Sequence, residues 1–444
     1  MPTLVQICLS PARTKLFAPL YALTLATFAA AALCQTSESP SRPTHSRPEA
    51  TETKPTPAAA VTAICDPKIL ADKTVATAAQ RKAAGDIAWP PLTDSADGFA
   101  WPDTPLGVIQ GDGGYVFFGS DGGYHARQMW EGNEYGNDKY GSVTRSIGTL
   151  DNPLGTEPPI DVTIYPNSDP SVNPYYASYD YMGGGPVYKV PAGTTVNGKS
   201  IAGDLLMVYH AEIPTITTQS FYSVYALASS TNGGMSWTDL GEIIRINQGY
   251  RTDIDGFDIG LAPLVVSPNG KEFLIYFRDW LANGTTHWGN TLTNISVARA
   301  SISSVMNDAF GDHPRAAAFQ KFYNSFELNQ GLGGYSEDIK PAAQYSGELQ
   351  VVYNSYLKRY QMIVGEGVLV AYAESADGFH WSLPTLLDDF RSQPDQPTTY
   401  VMPVATEGDP RILGKQFYIF YTRYPTTGAG WDGATVHRAT LTCQ

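Results

Sequence analysis

Tyr360-Gln361-Met362-Ile363-Val364, then Val368–Glu374, then Ser375-Ala376-Asp377-Gly378-Phe379-His380-Trp381 follow one another within 22 residues. The first two are apolar, β-branched and aromatic runs of strand length. The third is a turn: Asp-Gly bends the chain tightly, Ser bonds the local backbone, and Trp plugs the edge of a sheet. This phrase of two strands and a tryptophan turn returns elsewhere. Runs in the second-strand position are Tyr115–Ser120, Leu205–His210, Phe273–Arg278, Tyr360–Val364 and Phe417–Thr422; third-strand runs are Ser142–Leu150, Phe221–Ser229, Ile295–Ser301, Val368–Glu374 and Thr435–Thr442.

A first strand precedes each pair, and it usually opens on proline: Pro105, Pro186, Pro263 and Pro403 stand 81, 77 and 140 residues apart. Proline suits the start of a strand, where its missing N–H costs least. The last gap spans two repeats, because a phrase without proline begins near Glu348–Tyr353. Five phrases of three strands predict an all-β chain folded as a five-bladed β-propeller. The tryptophan turn recurs at Ser95–Trp101 and Ser230–Trp237. Since the copy at 95–101 precedes blade one, the N-terminal segment is expected to supply an outer strand to the last blade. Cys65 and Cys443 stand at the two ends of this unit, so a disulfide between them closes the ring a second time; two buried thiols are the alternative.

The first sixty residues read differently. Residues 1–15 hold Arg13 and Lys15 with no acid, and Leu16 to Cys34 is an almost unbroken apolar run, the layout of an export signal. Ala31-Ala32-Leu33-Cys34 resembles a bacterial lipoprotein cleavage box with Leu33 where a small residue is expected. Acylation of Cys34, simple cleavage and retention as an anchor all stay open. Residues 35–62 are rich in Ser, Thr and Pro and bury too little to fold, so they are expected to form a solvated stalk. The expected organisation is a signal at 1–34, a stalk at 35–62 and a propeller catalytic domain at 63–444, secreted or periplasmic, tethered to membrane or wall through its N-terminus, and monomeric.

The net charge of −14 repels phosphate backbones and anionic surfaces, so no nucleic-acid partner is expected. The 27 Tyr, 17 Phe and 8 Trp include flat side chains that can stack on sugar rings as well as fill β cores. No zinc-type Cys/His spacing, nucleophile elbow or phosphate loop occurs, which leaves redox, phosphoryl transfer and serine hydrolysis unsupported.

The tryptophan turns resemble the Asp box of sialidases, matched in spacing by Ser230–Trp237 with Asn232 for Asp, and the shorter Ser-Ala-Asp-Gly-x-x-Trp form resembles outer turns of five-bladed glycoside hydrolases of the family 43 and family 32 type. Blade four, from Val352-Tyr353-Asn354 through Tyr356–Met362 to Trp381, is similar to the domain-of-unknown-function family 4185, some of whose members are linked to arabinan hydrolysis. The likeness spans residues 95–443 and implies a carbohydrate substrate. A sialidase would bring an arginine cluster opened by an Arg-Ile-Pro type motif, which is missing; Arg127, Arg278, Arg359 and Arg423 would have to gather in space.

In a propeller the first strands start on the pocket face and the second strands return to it. Asp103, before blade one, looks like the general-base aspartate of family 43 enzymes, or is a turn aspartate. Asp180 precedes Gly183-Gly184-Gly185-Pro186 before blade two, and Asp253, Asp255 and Asp258 crowd the approach to blade three. Three such carboxylates need a neutraliser, either a proton or a cation such as a structural calcium, although the spacing is not that of a calcium loop. No other cofactor is expected.

Second-strand ends add Asp121, His210, Glu212, Arg278 and Asp279, and the loop after blade three's second strand adds His287 and Trp288 for sugar stacking. Glycoside hydrolysis needs one carboxylic acid for the leaving oxygen and a second carboxylate as base or nucleophile. Asp103, Glu212 and Asp258 are the expected catalytic set, with Glu212 as acid because it follows an apolar strand. Asp121, Asp180, His210, Arg278, Asp279, His287 and Trp288 are the expected substrate contacts, and a glycan-binding, lectin-like propeller is the alternative.

Overall fold

A computed structural model of the chain describes residues 63–88, 106–120, 143–155, 159–179, 181–215, 221–247, 249–250, 258–260, 262–280, 293–326, 332–339, 348–366, 369–387, 398–423, 425 and 433–444. The expected signal at 1–34, the expected stalk at 35–62 and the turn at 95–101 lie outside the described residues.

Five mainly antiparallel sheets follow one another as blades. From inner to outer strand, blade one is Gly107–Gly111, Gly114–Ser120, Val143–Gly148 and Ile160–Val162. In blade two, Tyr181–Gly183 and Val187–Lys189 share the inner position beside Leu205–Pro214, Phe221–Ser230 and Trp237–Arg245. Blade three is Leu264–Val266, Glu272–Trp280, Thr293–Ser301 and Gln320–Lys321; blade four is Glu348–Asn354, Arg359–Glu366, Leu369–Ser375 and Thr385–Leu386. Blade five takes three strands from the C-terminal end, Thr398–Ala405, Gln416–Arg423 and Thr435–Cys443, and its outer strand, Pro67–Ala76, from the N-terminal segment. The Cys65–Cys443 disulfide joins the two, across 378 residues of sequence. Ile64 N and Cys65 N both donate to the fully buried Glu374 of blade four, at 2.9 and 2.8 Å.

The cores lie between blades. Along Gln416–Arg423, Phe417, Ile419 and Tyr421 pack with Ile363 and Tyr372 of blade four, while Phe420 packs with Phe117 of blade one, the period-2 alternation of a strand buried on both faces. The tryptophan turns clamp neighbouring blades. In the turn of blade two, Ser230 Oγ accepts from Gly234 N at 3.0 Å and Asn232 Oδ1 accepts from Met235 N and Ser236 N at 3.1 Å. Ser375 and Asp377 repeat this with Gly378, Phe379 and His380 in blade four. Trp237 then meets Phe118 of blade one, and Trp381 meets Tyr276 of blade three, both edge-on.

The long segments 151–183 and 304–346 carry the outer strands of blades one and three. Val162 and Ile164, and Val305, Met306 and Ala309 of the helix Ile302–Phe310, are drawn into the core. The inner strands surround a small axial cavity lined by Val108, Val187, Leu264 and Val351. Arg411, from the hairpin of blade five, lines this cavity too. It is held by Asp409 and stacks 4.6 Å over Tyr188 of blade two.

Candidate functional site

The second strands end on one face of the ring, and a chain of alternating charges forms there between blades two and three. His210 and Glu212 are two apart on Leu205–Pro214 and so project to the same side, opposite Tyr225 and Ser223 of the next strand. The segment leading to blade three brings Asp258 up to this surface. Ser223 Oγ accepts from Ile259 N at 2.7 Å and donates to Asp258 Oδ1 at 3.2 Å, and Gly260 N donates to the same oxygen at 2.8 Å. Arg278, near the end of blade three's second strand, closes on Asp258 Oδ2 at 2.5 Å.

Gly260 is the hinge of the arrangement. Its φ of +81° is the left-handed region, and a Cβ there would stand 2.5 Å from Arg278 Nε, so only glycine lets the guanidinium reach Asp258. Its carbonyl oxygen lies 3.1 Å from His210 Nδ1, while His210 Nε2 lies 3.2 Å from Glu212 Oε1. A carbonyl and an ionised carboxylate can only accept, so the ring needs a proton on both nitrogens to satisfy both contacts. The electrostatics agree. Burial works against the charged ring, but the bond to Glu212, the charges of Asp258 and Glu212 and the Gly260 carbonyl outweigh it and push His210 up to about 9. Tyr181, Tyr225 and Phe221 pack around the imidazole.

Asp258 moves the other way. Burial raises its carboxyl, but Arg278, His210, Gly260 N–H and Ser223 together hold it below the usual carboxylate range. The order of charges is therefore Arg278 positive, Asp258 negative, His210 positive, Glu212 negative, with every side chain at least four-fifths buried. Asp258 is a fixed anion whose neutralisers are Arg278 and His210. Among the described residues no group of three His, Cys, Asp or Glu converges as a metal-binding set.

Asp279 follows Arg278 in the same strand and so points the opposite way. It is 1% exposed and enclosed by Lys321 Nζ at 2.8 Å, Ser336 Oγ at 2.8 Å and Asn247 N at 2.6 Å. Burial pushes its carboxyl up against the pull of Lys321, and burial pushes Lys321 down. Protein donors occupy this carboxylate, away from the array. Asp103, Asp121, Asp180, Asp253, Asp255, His287 and Trp288 lie outside the described residues. Three of the arginines do not gather: Arg278 pairs with Asp258, Arg359 with Glu374 and Arg423 with Asp72; Arg127 lies outside the described residues.

Ser223, Tyr181 and Gly260 escaped the sequence reading. The only signal for Gly260 was an Asp-x-Gly at Asp258, which reads as an ordinary turn.

No family model matches the chain, and no curated protein matches it. Solved structures of similar fold include a Bifidobacterium bifidum s17 protein assigned provisionally as an exo-beta-1,3-galactanase, at 12% identity over 79% of this chain and 93% of that one, TM-score 0.43. A second is the catalytic domain of a Coprinopsis cinerea GH62 alpha-L-arabinofuranosidase, at 11% identity over 79% and 94%, TM-score 0.43. RS223-beta-xylosidase follows at 12% identity over 77% and 94%, TM-score 0.41. The strand pairing makes the chain a five-bladed propeller, and these solved glycoside hydrolases, remote from it in sequence, are similar in layout.

Proposed function

We propose that this chain is an exported glycoside hydrolase that cleaves glycosidic bonds on the pocket face with carboxylates drawn from Asp103, Glu212 and Asp258. The Arg278–Asp258–His210–Glu212 array carries the reading: two carboxylates at the rims of adjacent blades, one locked as an anion and one bonded to an imidazolium. Asp258, held ionised, supplies fixed negative charge beside the developing positive charge of an oxocarbenium-like transition state. Glu212 can take a proton from His210 Nε2 and pass it to the leaving oxygen as the glycosidic C–O bond breaks. Asp103 is the base for the attacking water, as the family 43 resemblance implies. An arabinan or arabinofuranoside-like substrate rests on the blade-four similarity to family 4185, and the Asp-box likeness of the turns is a matter of architecture. Export and tethering through a stalk rest on the layout of residues 1–62.

A chromatographic screen against plant, bacterial and mycobacterial glycans tests the proposal. New reducing ends from the wild type, lost in Glu212→Gln, support it. Retention on an immobilised glycan without any product moves the chain to the lectin-like alternative.

A further inference from the structure

At the pocket-facing edge of blade five, Thr398, Arg423 and Thr435 stand directly opposite one another on three adjacent strands. Opposed residues share a face and lie about 5 Å apart. Arg423 is 8% exposed and Thr398 is 1% exposed. The guanidinium stacks 5.2 Å over the Tyr421 ring, and its one charge partner among the described residues, Asp72 Oδ2, stands 3.8 Å away, beyond hydrogen-bond reach. That oxygen already accepts from Tyr421 Oη at 2.7 Å. Arg423 Nε and Thr398 Oγ1 are both buried without a hydrogen-bond partner. A second potential cation is silent, because burial, opposed by Asp72 and aided by Arg423, takes His437 down to about 4.

Arginine carries five N–H donors, and none on this side chain has an acceptor among the described residues. Enclosing such a group is costly unless something accepts from it. We propose that Thr398 and Arg423 form a subsite for a carboxylated sugar residue, a hexuronate or a sialic acid, on the same face as the Glu212 array. This deepens the proposed function and rests on its reading of that face as glycan-binding. A planar carboxylate offers two coplanar acceptors that match the guanidinium fork, and the threonine hydroxyl adds a third donor beside it. The chain's overall negative charge does not prevent this, since exposed charges more than about 8 Å away are largely screened at physiological salt.

The test is titration of the full chain with oligosaccharides ending in a hexuronate, in sialic acid, or in the corresponding neutral hexose. The expected result is a preference of about tenfold or more for one acidic ligand over its neutral counterpart; which acidic arm responds identifies the source of the carboxylate. Arg423→Gln should erase the preference and Thr398→Val should reduce it several-fold, with thermal denaturation reporting that each variant folds. Equal affinity for acidic and neutral ligands, or a preference that survives in folded Arg423→Gln, overturns the subsite. If Arg423→Gln does not fold, Thr398→Val decides, and an unchanged preference there overturns it. Because the readout is binding, an Arg423-dependent preference without any hydrolysis would sink the proposed function and leave the subsite standing.

Discussion

Trp237 of blade two meets Phe118 of blade one edge-on, with ring centroids 5.5 Å apart, and the turn that delivers the tryptophan touches the same phenyl ring through Gly234. Gly234 has φ +82° and Gly378 has φ +87°; an added Cβ would lie 2.5 Å from Phe118 and 2.7 Å from Tyr276 Oη respectively. Gly234→Ala and Gly378→Ala should each cost about 1–3 kcal/mol in denaturant unfolding. Gly233→Ala, with positive φ but open space around it, should cost less.

Lys321 and Asp279 form an ion pair in which both side chains are 1% exposed. Lys321→Met should destabilise by about 3–5 kcal/mol, because it leaves a buried carboxylate unpaired. Lys321→Met combined with Asp279→Leu should recover much of that loss. A double variant as unstable as the single one would show that packing, not charge, dominates the site.

Two histidines should set the pH optimum of stability from opposite sides. His210 is raised to about 9, so its contribution is complete below pH 6.5 and disappears as pH climbs to about 9. His437 is lowered to about 4, so its contribution is present above 6.5 and disappears as pH falls toward 4. Melting temperature should therefore peak near pH 6.5, each limb reflecting on the order of 3 kcal/mol at full effect. His210→Gln should flatten the alkaline limb and His437→Gln the acid limb. A profile unchanged by both substitutions would remove these residues from the account.

Reduction of Cys65–Cys443, or Cys443→Ser, should lower stability by about 2–4 kcal/mol, the range for a cross-link that closes a long loop. The denaturant midpoint measured with and without reductant reads this directly.

The propeller was legible because its second and third strands are long, apolar runs set off by Gly, Asn and Pro, and because Trp237 and Trp381 mark equivalent turns. The outer strand that the N-terminal segment gives to blade five was legible too, but those of blades three and four were not: Gln320–Lys321 and Thr385–Leu386 are two residues each, too short for any periodicity. In the site, the shared face of His210 and Glu212 follows from their spacing. The pairing of Asp258 with Arg278 does not, since it depends on a crossing segment and on a left-handed glycine. Arg278 and Asp279 look equivalent as neighbours, yet alternation sends one to the array and the other to Lys321, 42 residues away in sequence.

Blade five holds both ends of the folded chain, with Cys65 immediately before its outer strand and Cys443 at the end of the strand beside it. Tension applied at residue 63 reaches the disulfide before it reaches the hydrogen bonds between Pro67–Ala76 and Thr435–Cys443. The covalent link passes the load directly to the neighbouring strand, so that ladder is not unzipped from its exposed end. Load entering at residue 63 is then shared by two strands of blade five, while Glu212 and Asp258 belong to the rim between blades two and three.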